Sequence, residues 1–342
     1  MSTSRFDLTV AFLQRPASYP NPPHAVAAIE THMSWIFLTD DRAYKLKKPI
    51  CYDGLDLSAP ETRRLICQQE VLLNRRLAPD VYLGVSAVTQ SPNGMLALDG
   101  QAEQIDWVVR MRRLPADRML DALIMSGRAK TEEAEIRVVA RHLAQFFATA
   151  RPVPISSSDY RARFEQGVRE DLLALSAPRH ALPRDRIEAL ALAQLALLER
   201  RPLLFEQRIQ AGRIVEGHGD LRPEHICVRQ DCAIIDCLEF SRDLRVLDPV
   251  DELAFLSLEC ERLGEPRVGQ WFLEAYRDAS GDEFPEGLLK FYRVYRALRR
   301  AKIAAVHVDD PAVRNPERFA AKARQYLDLV EPVTCDVIDA YP

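Results

Sequence analysis

The chain has 342 residues, 47% of them hydrophobic, enough for one large or two medium domains with substantial cores. A net charge of −4 and a pI near 6 exclude a global basic field that would recruit nucleic acid. No stretch approaches the roughly 18 uninterrupted apolar residues of a membrane span, and FDLTVAFL (6–13) lacks the basic flank of a signal peptide. Seven cysteines, an odd number without regular pairing, read as reduced thiols in a cytoplasmic protein. Lysine is rare, 7 residues against 39 arginines, and three of the seven fall between 45 and 48.

In chain order, the proline-rich PASYPNPPHAV (16–26) reads as an ordered arm. WIFL (35–38), TDD (39–41) and RAYKLKKPI (42–50) predict a hairpin. Its return strand places Ala43, Lys45 and Lys47 on one face and Tyr44 and Leu46 on the other. An exposed basic strand edge is the plain alternative for these lysines. ETRRLICQQEVLLNRRLAP (61–79) predicts a helix with Ile66, Glu70, Leu73 and Leu77 on one stripe. A carboxylate within an apolar stripe requires a cation, and Lys45 is the natural candidate; otherwise Glu70 lies in water at the stripe's edge. Strands are expected at 81–90 and 94–100 around the turn SPNG. IDWVVRMRRLPADRMLDALI (105–124) reads as a strand, a linker broken at Leu114-Pro115, and a helix. Arg110, Arg112 and Arg113 around the break read as solvated charge.

From 131 to 213 the pattern is helical. Ile136, Val139, Ala140, Leu143, Phe146 and Phe147 form one face, and Thr131 with Glu132 and Glu133 forms the start. PVPISSSD (152–159) is a loop before helices near 160–175 and 185–200, where Asp159, Arg163, Glu165 and Asp171 are candidate pocket residues. Further helices are expected at 249–263, 267–279, 286–306 and 313–331. Arg296, Arg299 and Arg300 crowd onto the third of these, as a solvated face or as a patch for a phosphorylated or acidic ligand.

The stretch 216–251, EGHGDLRPEHICVRQDCAIIDCLEFSRDLRVLDPVD, carries the chemistry. ICV (226–228) and AII (233–235) around RQD (229–231) predict a hairpin. Asp220 stands before its first strand and Asp236 after its second, so antiparallel strands bring the two carboxylates together. Paired carboxylates of this kind suit divalent-metal binding and phosphoryl transfer. Cys227, Cys232 and Cys237 beside His225 raise a zinc site, but a C-x4-C spacing across a hairpin favours small buried hydrophobes.

HGDLRPEH, IIDCLEF and DP-x-DELAF together resemble the aminoglycoside phosphotransferase and choline-kinase group of small-molecule kinases. The nearest likeness is to an uncharacterised bacterial branch, some of whose members are fused to a P-loop domain. The resemblance is strongest at 30–115 and 216–260. It implies an α+β, bilobal protein-kinase-like fold. The small β-rich N-lobe would span 1–111, and the larger helical C-lobe 112–342, with a helical insert at about 150–213 and the catalytic hairpin at 216–251. ATP would lie in the cleft, with Mg2+ or Mn2+ and a small hydroxylated substrate.

Residue by residue, the resemblance implies Asp220 as the catalytic base or acceptor-orienting group and Asp236 as a metal ligand. RAYK resembles the kinase Val-Ala-x-Lys strand, so Lys45, paired with Glu70, would contact phosphate, with Lys47 its competitor. Ser34, in the ETHMS segment (30–34), stands where the phosphate-covering loop would be, with His32 structural. Met111 marks the adenine-binding hinge. Arg222 would face acceptor or phosphate, His218 would hold the loop, and Asp248 and Asp251 would brace it through its amides and cap the next helix. Glu239 would add a carboxylate near the metal or lie in solvent. His225 stands where the group has Asn, in the second metal position. Imidazole is a poor magnesium ligand, so the second metal would be absent or held through water, with His225 bonding phosphate instead, or the site would be inactive; the last, with the missing glycine-rich loop, keeps open a second reading, a weak or inactive nucleotide-binding regulatory module. No GxxxxGK[ST] occurs, which excludes a P-loop site in this chain.

Overall fold

The computed structural model describes residues 4–52, 55–229, 231–308 and 315–332. The chain divides into two compact units. The first comprises 1–118 with 231–242, and the second comprises 119–230 with 243–342.

The first unit opens with helix α1 (Arg5–Leu13), capped by Ser4, whose hydroxyl accepts from the Asp7 amide. Strands β1 (Ala27–Glu30), β2 (Ser34–Leu38) and β3 (Arg42–Lys47) follow, then the short β4 (Cys51–Tyr52) and β5 (Leu55–Asp56). Helix α2 (Pro60–Asn74), β6 (Tyr82–Gln90), β7 (Leu96–Leu98) and β8 (Glu103–Arg112) complete it up to the linker. The sheet is six-stranded, in the order β1-β2-β3-β8-β6-β7. β3 is therefore an interior strand, which removes the exposed-edge reading of its lysines.

Strand alternation sets the two faces of β3. Tyr44 and Leu46 join Leu13, Tyr19, Phe37, Val88, Ile105 and Val108 in a core under α1 and the proline-rich arm. Each such side chain contributes about 1.5–3 kcal/mol by leaving water. Ala43, Lys45 and Lys47 take the other face, on the side of α2. Helix α2 is pinned to β8 by a buried bidentate pair, Arg63 Nε to Asp106 Oδ1 at 2.9 Å and Nη2 to Oδ2 at 2.8 Å. Glu70 is two turns further along, on the same face as Arg63, so this anchor aims it at β3.

The second unit is helical. Its elements are α3 (Leu120–Met125), α4 (Glu133–Thr149), α5 (Ser157–Leu175), α6 (Arg184–Arg200) and α7 (Pro202–Gln210), then strands β9 (Val215–Glu216) and β10 (Ile226–Cys227). Strand β11 (Ala233–Ile234) belongs to the first unit. β12 (Val246–Leu247), α8 (Pro249–Arg262), α9 (Pro266–Ser280), α10 (Glu286–Val308) and α11 (Pro316–Asp328) return to the second. Gln230, within the expected turn RQD, lies outside the described residues, as do 313–314 of the last expected helix. Helix α4 begins one residue later than expected, because Thr131 bonds back to the Arg128 carbonyl instead of capping.

The core of this unit is aromatic. Phe164 on α5, Phe205 on α7, and Phe291 and Tyr292 on α10 meet mostly edge to face at 5.1–6.5 Å. Helix α8 is buried from Pro249 to Cys260, acids included. Among the described residues no helix is long and apolar enough to cross a membrane.

Candidate active site

In the first unit, five charged side chains meet on the α2 side of the sheet. Lys45 Nζ lies 2.9 Å from Glu70 Oε1 and also bonds to Asp236 Oδ1. Lys47 Nζ lies 2.5 Å from both Glu70 Oε2 and Glu239 Oε1. Exposure rises from 0% at Glu70 through 3% at Lys47, 8% at Glu239 and 12% at Lys45 to 42% at Asp236. The cluster therefore opens at Asp236. Lys45 stands at that mouth, and Lys47 is locked between two buried acids. Glu239, read from sequence as a second carboxylate near the metal or a solvent-exposed one, is a buried partner of Lys47.

Burial opposes every charge here. It pulls the Lys45 ammonium down, but Asp236 first, then Glu70 and Glu239, carry it well above the usual lysine range. Burial raises Glu70, and Lys45 and Lys47 more than offset this, so it stays below the usual carboxylate range. At Glu239 burial outweighs Lys47 and the carboxyl is raised.

Asp236 adopts a left-handed backbone conformation, φ 64°, which costs a non-glycine residue about 1–2 kcal/mol. Neighbouring bonds hold the turn. Asp236 N donates to the Tyr82 hydroxyl at 3.0 Å, and Cys237 N to Asn74 Oδ1 at 2.9 Å. Ser34 sits opposite Lys47, its hydroxyl buried and without a hydrogen bond among the described residues. Met111 is buried and pairs with Ala43 and Tyr82 on the two neighbouring strands. Just beyond it, the Arg112 and Arg113 amides donate to the Val81 and Asp41 carbonyls. Arg112 is paired with Asp231 at 2.7 Å.

In the second unit, the loop 217–222 presents Asp220. Its backbone is held from below by Glu252 of α8, whose Oε2 accepts from His218 N at 2.8 Å and whose Oε1 accepts from Gly219 N. A Cβ at Gly217 would collide with this carboxylate, and Gly219 takes φ 90°. Both glycines are required by the shape of the loop. Glu252 is thus the loop brace that the sequence reading placed at Asp248 and Asp251. Asp248 caps α8 through Val250 N, as expected, but holds Arg208 and not the loop, and Asp251 holds Arg296 at 2.7 Å through both oxygens. Burial pushes the Glu252 carboxyl up to about 7, although the His218 and Gly219 amides favour its ionised form.

His218 is fully buried and accepts from the Asp220 amide at 3.3 Å. Arg222 Nε lies 3.0 Å from Asp220 Oδ2, and its Nη1 lies 2.7 Å from Glu224. His225 Nδ1 is 2.9 Å from the Asp220 carbonyl and its Nε2 is 3.1 Å from Arg222 Nη2. Both ring nitrogens thus face protein groups. Burial raises the Asp220 carboxyl, and Arg222, then His225, Arg300 and His218, more than offset it, leaving it below the usual range and ionised at neutral pH.

Among the pocket candidates, Asp159 and Arg163 line an open cleft of about 750 Å³ with Pro152–Ser156 and Ile209. Glu165 pairs on the surface with Arg169. Asp171 is buried between Arg299 and Lys302.

As to metals, Asp236 is a hard, partly exposed oxygen donor, which fits one magnesium completed by phosphate oxygens and water. The His225 ring, with both nitrogens engaged, does not fit a metal ligand in this arrangement. Among the described residues no three His, Cys, Asp or Glu side chains are grouped to hold a metal.

Comparison with solved structures places this architecture. A choline/ethanolamine kinase family protein from Mesorhizobium loti matches 96% of this chain and 96% of its own, with a TM-score of 0.56 at 14% identity. The GDP and kanamycin complex of APH(2")-IIIa matches 94% and 97%, at 0.51 and 12%. The AMP-bound complex of the spectinomycin phosphotransferase APH(9)-Ia matches 94% and 96%, at 0.51 and 13%. The chain has the fold of the choline kinase-like proteins and aminoglycoside phosphotransferases. No protein-family model matches it. In sequence it is 36% identical over 304 residues to uncharacterised proteins of Mycobacterium tuberculosis and Mycobacterium bovis. It spans 58% of the length of those relatives. On the choline kinase-like fold, Lys45, Glu70 and Asp236 belong to the sheet-bearing unit and Asp220 to the helical one.

Proposed function

We propose that this protein transfers the γ-phosphate of ATP to a hydroxyl of a small molecule. The observation that carries the reading is Lys45 at the mouth of its cluster, fixed by a fully buried Glu70 and bonded to the partly exposed Asp236. That is an ammonium preorganised for phosphate oxygens beside a carboxylate suited to magnesium. Solved proteins of this fold have been captured with GDP and kanamycin or with AMP, which supports a nucleotide at this site.

In this reading Asp220 receives the acceptor hydroxyl. The bond from the γ-phosphorus to the acceptor oxygen forms as the bond to the β–γ bridging oxygen breaks. ADP leaves, and the hydroxyl proton passes to Asp220, which Arg222 keeps ionised and oriented. Asp236 would hold magnesium, which when bound would supply neutralisation of charge on the phosphates. Ser34 and Met111 line the nucleotide, Lys47 secures Glu70, and His225 ties the loop instead of binding metal. Ten or so kilocalories of such positioning and electrostatics separate a kinase from water.

The engaged His225 ring favours one second reading, a nucleotide-binding module with weak or no turnover. ATP consumption with Mg2+ or Mn2+ across a panel of hydroxyl compounds distinguishes the two. The kinase reading expects acceptor-dependent ADP release, reduced at least about 100-fold by Asp220→Asn. ATP binding with no turnover on any compound and no effect of Asp220→Asn would favour the module.

A further inference from the structure

The three arginines crowded near 296–300 separate in the structure. Arg296 is consumed by Asp251 at 2.7 Å and Arg299 by Asp171 at 3.2 Å. Arg300 is held more loosely, its Nε donating to the Tyr326 hydroxyl at 3.5 Å. Among the described residues its one carboxylate contact is Glu259 at 3.9 Å. Glu259 is itself occupied, Oε1 by the Tyr326 hydroxyl at 2.5 Å and Oε2 by Arg262 at 2.9 Å.

Around the Tyr326 ring stand three cations, Arg262 at 5.7 Å, Arg300 at 5.9 Å and Lys322 at 6.0 Å from its centroid. Lys322 is half-buried and forms no ion pair among the described residues. These three cations, on α8, α10 and α11, with α10 packed on both of the others, stand around the buried Glu259, which pairs with Arg262 and more distantly with Arg300, and Glu224 is the other carboxylate that acts on Arg262 and Lys322. The turn Pro223–His225, directly after Asp220, packs on α8. Arg300 is one of the cations that hold the Asp220 carboxyl down. The crowding shows at Lys322. Burial first, then Arg300 and Arg262, depress its ammonium below the usual lysine range. Surplus, partly desolvated positive charge is stabilised by an anion.

We propose that Arg262, Arg300 and Lys322 form an anion subsite beside Asp220, so that the acceptor is a hydroxyl compound already bearing a phosphate or carboxylate. This rests on the kinase reading for the word acceptor; the anion site itself does not. The same charges would repel choline-like or aminoglycoside-like cations.

Inorganic phosphate is the probe, titrated calorimetrically at low ionic strength into the full chain and three variants. Lys322→Ala is expected to weaken phosphate binding about tenfold, the loss of one charge-assisted contact. Lys45→Ala, and Lys290→Ala at an exposed position of α10, are expected to change it less than twofold. No phosphate binding by the wild type would overturn the proposal. So would equal binding by Lys322→Ala, or loss on Lys45→Ala. A second titration with ATP reads the kinase proposal separately, because ATP binding there depends on Lys45. In turnover, glycerol 3-phosphate is expected to be preferred over glycerol and choline, and a preference for choline would overturn the subsite.

Discussion

At the scale of single residues, the informative groups are acids placed where water cannot reach them. Glu252 accepts two backbone amides, yet burial outweighs those bonds and pushes its carboxyl up to about 7. The sign of the consequence follows from linkage. Below about pH 4.5, its ordinary value, both folded and unfolded chains hold the proton. Between 4.5 and 7 only the folded chain does, so the stability conferred by a neutral Glu252 is lost as pH rises through that window. The wild type is therefore expected to lose about 2–3 kcal/mol between pH 5 and pH 8 relative to Glu252→Gln. Urea denaturation of both proteins at the two pH values measures this. A constant difference across the range would mean that Glu252 is already ionised in the fold.

At the scale of elements, α8 is the part on which the Asp220 loop rests, and its N-terminus is tied to distant chain. Arg208 on α7 bonds Asp248 at 2.6 and 2.9 Å and Asp282 at 2.6 Å. Asp248 meanwhile caps α8, and its amide donates to the Tyr160 hydroxyl at 3.1 Å. Arg208→Met would leave the buried Asp248 without its cation and Asp282 with only the more distant Arg213 at 3.7 Å, which costs about 3–5 kcal/mol. The expected result is a matching drop in urea midpoint at pH 8 that shrinks at pH 5, where the orphaned acids can take up protons. A pH-independent drop would point to lost packing instead. These ties also explain what sequence could and could not reveal. Lys45 and Glu70 were legible because each sits on a regular period, two along β3 and the helical repeat along α2. Glu252 was not, because α8 is buried on all sides and no stripe distinguishes one of its acids. Glu239 was hidden for the opposite reason, lying in irregular chain with no period. Arg300 became readable only once its neighbours Arg296 and Arg299 were seen paired with acids 45 and 128 residues away in sequence.

At the scale of the whole molecule, the chain leaves its first unit at 118, returns for 231–242 and leaves again. That short return carries Asp236 and Glu239, two of the three carboxylates that neutralise Lys45 and Lys47. It also supplies the Ile234 amide to the Leu77 carbonyl at 3.3 Å and the Cys237 amide to Asn74. A fragment ending at 118 would hold two nearly buried ammonium groups against Glu70 alone, and the Asn74 and Leu77 acceptors would lose their donors. An unpaired buried charge costs several kcal/mol, on the order of 3 even after relaxation. For a unit of this size that lowers a melting midpoint by about 10–20 °C. Two proteins test this, residues 1–118 alone and the same residues joined to 231–242 by a glycine-serine linker long enough not to constrain the join. The linked form is expected to melt cooperatively, at least about 10 °C above the bare fragment by circular dichroism. In the linked background, Glu239→Gln is expected to give back part of the gain, since it removes the acid that Lys47 shares with Glu70. Equal melting of fragment and linked form would show that the lysines find water or other partners, and that the returning segment contributes only to chemistry.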